Sequence, residues 1–261
     1  DSNTLLRSIY KNTYACFYLR GGADDNVIDN CTITSSGSNA YCCYFSNDGS
    51  TTPMNNTVSN CTATFINGSD GIEIFGLTSS LSSGNIINNN TITCGGTSVG
   101  TRCIYLEECT SNQVYKNNIR NSEIGVFFNN TNTAATNHIA HNNYFASNTI
   151  GIISANNQSG KVYFNSFYNS YAALDYWTGA TSSFKNWDIR NNIFYVSGSS
   201  GYCILYGTAT TAELPALIDY NVYYVPGVPT MVTPQPVIPP LPVGKRPIMM
   251  YLPVQREMKI Q

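Results

Sequence analysis

The sequence predicts an all-β protein, a right-handed, single-stranded parallel β-helix of about nine turns over residues 1–225, followed by an extended Pro-rich tail over 226–261. Three observations carry this. An eight-residue motif returns along the body, a second β-forming stretch follows each copy, and no stretch has the 3.6-residue apolar period of a helix.

The motif reads N-x-[apolar]-x-x-N-x-[apolar]. Full copies are NVIDNCTI (26–33), NTVSNCTA (56–63), NIINNNTI (85–92), NQVYKNNI (112–119) and NHIAHNNY (137–144). Weaker copies are NTLLRSIY (3–10), GKVYFNSF (160–167), WDIRNNIF (187–194) and ALIDYNVY (216–223). The sixth position forms one column: Ser8, Cys31, Cys61, Asn90, Asn117, Asn142, Asn165, Asn192 and Asn221. Successive members are 23 to 30 residues apart, as expected of a coil whose motif is constant while its loops vary.

The third and eighth positions are apolar in nearly every copy, from Leu5 and Tyr10 through Ile139 and Tyr144 to Ile218 and Tyr223. Alternate side chains of a strand face opposite ways. Two inward positions an odd five residues apart therefore need a bend between them. The sixth-position Asn is expected at that bend, because Asn tolerates left-handed backbone and hydrogen-bonds locally. Asparagines on successive turns are also placed to bond one another.

The second stretch reads ACFYL (15–19), YCCYF (41–45), GIEIF (71–75), CIYLE (103–107), GVFFN (125–129), GIISA (151–155), ALDYW (173–177) and YCILY (202–206). Each opens near a small residue and continues with β-formers. Its aromatics Phe17, Tyr44, Phe127, Phe128, Tyr176 and Tyr206 are expected to form ladders from turn to turn.

This pattern resembles the right-handed parallel β-helix repeat proteins of the pectate-lyase-like superfamily, over residues 1 to about 225. The resemblance implies the fold and, here, a non-catalytic secreted or surface type. That fold carries lyases, hydrolases, epimerases, phage spikes, adhesins and inert surface proteins, so it does not by itself specify an activity.

Charged residues make up 11% of the chain and the net charge is −2. Such a neutral, amide-rich surface argues against nucleic acid, which wants a basic face. No run of 18 apolar residues exists, so no membrane span is expected. No signal peptide precedes Asp1, which suggests a mature or trimmed product.

Seven N-x-[ST] sequons occur, at Asn30, Asn55, Asn60, Asn67, Asn89, Asn129 and Asn157. They read either as N-glycosylation of an exported protein or as a by-product of abundant Asn, Ser and Thr. Asn55, Asn67, Asn129 and Asn157 lie in or near loops; Asn30, Asn60 and Asn89 lie inside the motif, where occlusion is expected.

Cys31 and Cys61 share a column on adjacent turns, within disulfide reach. Cys16 with Cys42 or Cys43, and Cys94 with Cys103 or Cys109, are further candidate pairs, leaving Cys203 over. The alternative is stacked, buried thiols.

Catalysis on such a fold would need clustered acids. The candidates are Asp24–Asp25, Asp70 with Glu73, and Glu107–Glu108, each expected to be a turn or edge residue; a calcium site at Asp24–Asp25 is a minor alternative. His138 and His141 are expected to face outward without ligand partners. No catalytic residue, metal site or cofactor is assigned.

The tail holds nine of the eleven prolines and no Asn, and carries Lys245, Arg246, Arg256 and Lys259 against Glu257. Its apolar segment Pro247, Ile248, Met249, Met250, Tyr251, Leu252 and Val254 wants a surface. It is expected to strap its own solenoid, to reach a neighbouring subunit, or to act as a linker. The first repeat begins at residue 3, leaving no room for an N-terminal cap, so an open strand edge is expected to template a second copy. The chain thus reads as a non-enzymatic, extracellular or cell-surface protein whose partner is itself, in a filament or sheath, with covalent glycans as possible additions. The alternatives are a carbohydrate-active or carbohydrate-binding β-helix and a passive adhesin domain.

Overall fold

The computed structural model describes residues 3–37, 40–66, 69–131, 136–156, 159–176, 186–198, 201–206 and 217–225. The tail 226–261 and the sequon residues Asn67 and Asn157 lie outside the described residues. Strands recur in triplets and build three parallel sheets of nine, nine and eight strands. The turn made of Gln113–Tyr115, Asn118–Arg120 and Ile124–Asn129 gives one strand to each sheet in that order. Eight turns carry all three strands, and a ninth adds Leu217–Asp219 and Val222–Tyr224 to the first two sheets.

The corner between the first two sheets explains the motif. The residue with left-handed backbone is the fifth, one earlier than expected: Arg7, Asn30, Asn60, Asn89, Lys116, Asn142, Phe164, Asn191 and Tyr220 all have φ between 49° and 57°. The sixth residue turns its side chain into the core. Asn117 donates its backbone N–H and its Nδ2 to Oδ1 of Asn143, both at 3.0 Å, and its Nδ2 also to the Ile87 carbonyl at 2.9 Å. Asn90, Asn143, Asn165 and Asn192 repeat that pattern on their neighbours, and Asn221 ends it by donating to the Ile189 carbonyl. Each side chain thus satisfies polar groups that the bend leaves buried and unpaired.

The frame expected for NHIAHNNY is one residue early. Val114 pairs with Ala140 and Ile119 with Phe145, so Asn143 is the ladder member and Asn142 the exposed corner. The inward residues there are Ala140 and Phe145, not Ile139 and Tyr144. Three consecutive polar residues, His141 to Asn143, fit either frame on paper; only the cross-turn pairing chooses.

A second buried ladder runs through the motif's first position. Backbone N–H groups of Asn3, Asn26, Asn56 and Asn85 donate to Oδ1 of the asparagine one turn on, at 2.8–3.1 Å. It changes character at His138, Gly160 and Trp187. A Cβ on Gly160 would sit 2.6 Å from the Trp187 ring, so the indole fills the space that Asn occupies elsewhere. GKVYFNSF and WDIRNNIF therefore lack a first Asn because the core there is packed by an aromatic.

The second sheet sends Ile33, Ala63, Ile92, Ile119, Phe145, Phe167, Phe194 and Tyr223 inward as one column. Phe145 and Phe167 stack at 4.6 Å, and Phe167 and Phe194 at 5.1 Å. Facing them, the third sheet places small residues: Gly71, Cys103, Gly125, Gly151 and Ala173. A Cβ on Gly125 would lie 2.7 Å from the Phe145 ring, and one on Gly151 2.6 Å from the Phe167 ring. The small residue opening each second stretch is the complement of this bulk.

The expected aromatic ladder is in fact split between the two faces of the third sheet. Tyr44 and Phe127 share an outward column, whereas Phe17 and Phe128 belong to the core.

Candidate functional site on the third sheet

The outward face of the third sheet carries two columns set by strand register. One runs Tyr41, Asp70, Arg102, Ile124, and the other Tyr44, Glu73, Tyr105, Phe127. Two acids are thereby sandwiched between a tyrosine pair one turn below and an arginine–tyrosine pair one turn above. Asp70 and Glu73 are buried although they point away from the core.

Arg102 holds Asp70 bidentately, Nε to Oδ1 and Nη2 to Oδ2, both at 2.8 Å. Its guanidinium lies 3.6 Å from the centre of the Tyr105 ring, whose hydroxyl accepts from Asn129 Nδ2 at 2.7 Å. Glu73 hydrogen-bonds Asp70. Burial first, and then the Asp70 charge, push the Glu73 carboxyl up to about 9. Burial raises Asp70 as well, against the opposing pull of Arg102. Glu73 is therefore the protonated partner at neutral pH, and the cluster reads as one acid, one carboxylate and one guanidinium.

This has a consequence for stability. Below the ordinary glutamate value of 4.5 both folded and unfolded chains carry the Glu73 proton. Between 4.5 and about 9 only the folded chain keeps it, so its contribution to stability falls as pH rises through that window. Glu73→Gln should flatten the dependence. Denaturant midpoints at about pH 5 and about pH 9 should move closer together in the variant; equal spacing in both proteins would show that Glu73 does not hold its proton.

The sequence pointed to Asp70 with Glu73 but missed Arg102, Tyr41 and Tyr105. Their contact is 32 residues away in the chain for Arg102, one turn of the coil. Adding one repeat length to Asp70 is the signal that finds it.

The other sequence candidates are structural. Asp24 accepts the Met54 N–H at 2.8 Å and Asp25 sits in a left-handed turn. Glu108 occupies a left-handed corner and accepts from the Thr131 N–H at 2.8 Å. His138, expected outside, is buried in the second ladder, with Nε2 3.0 Å from the Cys109 carbonyl and its ring stacked on Phe128. His141 does face outward, sandwiched at 4.9 Å between Tyr115 and Tyr163.

No disulfide is formed in the structure, so the expected pairs of Cys31 with Cys61, of Cys16 with Cys42 or Cys43, and of Cys94 with Cys103 or Cys109 are absent among the described residues. In-register stacking keeps Cβ atoms near the ~4.8 Å strand spacing, longer than the ~3.8 Å a disulfide favours. Cys31 and Cys61 instead stand in for Asn in the ladder: the Cys31 N–H meets Cys61 Sγ at 3.4 Å, and the Cys61 N–H donates to Asn90 Oδ1 at 2.8 Å.

The motif sequons are explained by the same corner. Asn30, Asn60 and Asn89 are the left-handed residues, and Thr32, Thr62 and Thr91 two positions on begin the next strand facing outward. These asparagines are exposed rather than occluded, and two of the amides are engaged along the turns: Asn89 Nδ2 donates to Asn60 Oδ1, and Asn60 Nδ2 to Asp29, each at 2.5 Å. Asn55 is exposed and Asn129 half-buried.

Three parallel sheets coiled around apolar columns and asparagine ladders define a right-handed parallel β-helix protein. A family model described as "Periplasmic copper-binding protein (NosD)" matches residues 1–145 and 67–211, and the chain belongs to that family of β-helix proteins. Among curated proteins, none matches the chain significantly.

The described residues do not fit copper. No group of three or more His, Cys, Asp and Glu side chains among them is arranged to hold a metal ion. Burial raises the thiols of Cys42, Cys43, Cys61, Cys94, Cys103 and Cys109, whereas a metal ligand must be the thiolate. His138 is held within the core stack.

Proposed function

We propose that this chain is a non-catalytic β-helix protein, exported to the cell envelope or beyond, that serves as a rigid rod and assembles end to end. The family's periplasmic description supports an exported location. The observation that carries the assembly reading is the continuity of the two inward apolar columns along the described turns. One runs from Leu5 to Ile218 and the other from Tyr10 to Tyr223. Stacking one copy on the next would continue each column, Ile218 onto Leu5 and Tyr223 onto Tyr10. Such a contact is heterologous and does not close on itself. In this reading the tail acts as a strap over a solenoid.

Electron microscopy of the purified protein at neutral pH tests it. Filaments with an axial repeat near one solenoid length are expected. Uniform single particles at high concentration would remove end-to-end assembly.

A second reading, carbohydrate binding or turnover, is favoured by the Asp70–Glu73–Arg102 cluster, because paired carboxyls with separated proton affinities suit acid–base chemistry. Loss of binding or activity on a glycan panel in Asp70→Asn would support it. A passive adhesin domain shares the scaffold role without the assembly.

A further inference from the structure

The outward face of the second sheet changes along the solenoid. Over the second to fourth turns it presents two columns of threonine, Thr32, Thr62, Thr91 and Thr34, Thr64, Thr93. Over the sixth to ninth turns the same columns become Tyr144, Ser166, Ile193, Val222 and Ala146, Tyr168, Tyr195, Tyr224. None of these eight is charged. Ile193 is 53% exposed and Tyr168 45%, with Tyr144, Val222 and Tyr224 also open to solvent. The rings of Tyr168, Tyr195 and Tyr224 stack at 4.8 Å into a continuous strip. At the adjoining corner, Phe164 and Tyr220 hold strained left-handed backbone while 56% and 63% exposed, where other turns place Asn, Lys or Arg. A contiguous aromatic face of this kind marks an interaction site.

We propose that this strip is the docking surface for the chain's own Pro-rich segment, residues 226–261, folded back along the solenoid. It rests on the strap part of the proposed function and names the face the strap covers. The strip ends at Tyr224, two residues before the segment begins. Pro226–Gly227 is a turn-forming dipeptide able to reverse the chain there. Beyond it, Pro229, Pro234, Pro236, Pro239 and Pro240 alternate with Val, Ile and Leu. Proline-rich extended chain docks on aromatic-lined surfaces because its backbone is already ordered and its rings stack on tyrosine. The reach is ample. Three turn-to-turn steps of ~4.8 Å need only about five residues of polyproline-like chain at ~3.1 Å each.

Hydroxyl-radical footprinting of the full chain, read by mass spectrometry, tests this without a substitution. Tyr18, 49% exposed on the third sheet of the first turn, is the internal reference for Tyr168 at 45%. Docking predicts several-fold slower labelling of Tyr168, Tyr195 and Tyr224 than of Tyr18, unchanged on dilution. Labelling of Tyr168 at the Tyr18 rate would overturn the proposal. Protection that disappears on dilution would overturn it too, assigning the face to a second copy. Filaments seen by microscopy with an unprotected strip would leave assembly standing and remove only this docking.

Discussion

Asn165→Leu should destabilise the protein by about 3 kcal/mol or more, because two buried groups lose partners at about 1–3 kcal/mol each. Asn165 Oδ1 accepts from the backbone N–H and Nδ2 of Asn143, at 2.9 and 3.0 Å. Its Nδ2 serves Asn192 Oδ1 and the Ala140 carbonyl, at 3.0 and 2.9 Å. Leucine fills the volume but removes all four bonds, although Asn143 Nδ2 keeps the Val114 carbonyl and Asn192 Oδ1 keeps the backbone N–H of residue 165. Asn165→Cys should cost roughly half as much. The chain itself uses Cys at this position in Cys31 and Cys61, where Cys61 Sγ accepts from Cys31 N–H at 3.4 Å and lies 3.0 Å from the Ser59 carbonyl. Equilibrium unfolding in denaturant measures both. If the two variants lose the same stability, the ladder is a packing feature and its hydrogen bonds are not what holds the corner.

Phe167→Ala should cost about 3–5 kcal/mol, the usual range for emptying a phenylalanine site in a packed core. The ring is buried between Phe145 and Phe194, and Gly151 opposite has no side chain with which to refill the space. Thr64→Ala, facing out on the same sheet and outside the tyrosine strip, should stay within about 0.5 kcal/mol, as surface changes usually do. The pair reads out strand alternation directly. Similar losses at both positions would mean that the second sheet is turned over.

The Pro-rich tail and the Asp70–Glu73 cluster show two different limits of reading a repeat. The tail's character is plain in its prolines, but the face proposed to seat it, the Tyr168–Tyr195–Tyr224 strip, joins residues 27 and 29 apart in the chain. The acids were visible as acids. Their burial and their shared proton depend on Tyr41 and Tyr44 from the turn below and Arg102 and Tyr105 from the turn above. Neither neighbour is near in the chain, so nothing local announces them.

What the sequence determined by itself was the coil: the apolar third and eighth positions, the Asn column and the small residue opening each second stretch all follow from steric and hydrogen-bonding rules that act within one turn. Only the tertiary structure decided the frame of the His138–Phe145 turn, the inward place of His138 and the part that Cys31 and Cys61 take in the Asn ladder. It also decided the company kept by Asp70 and Glu73. Those depend on which residue of one turn lies against which residue of the next. A pattern with variable loops leaves that open until the strands pair and the core columns fill.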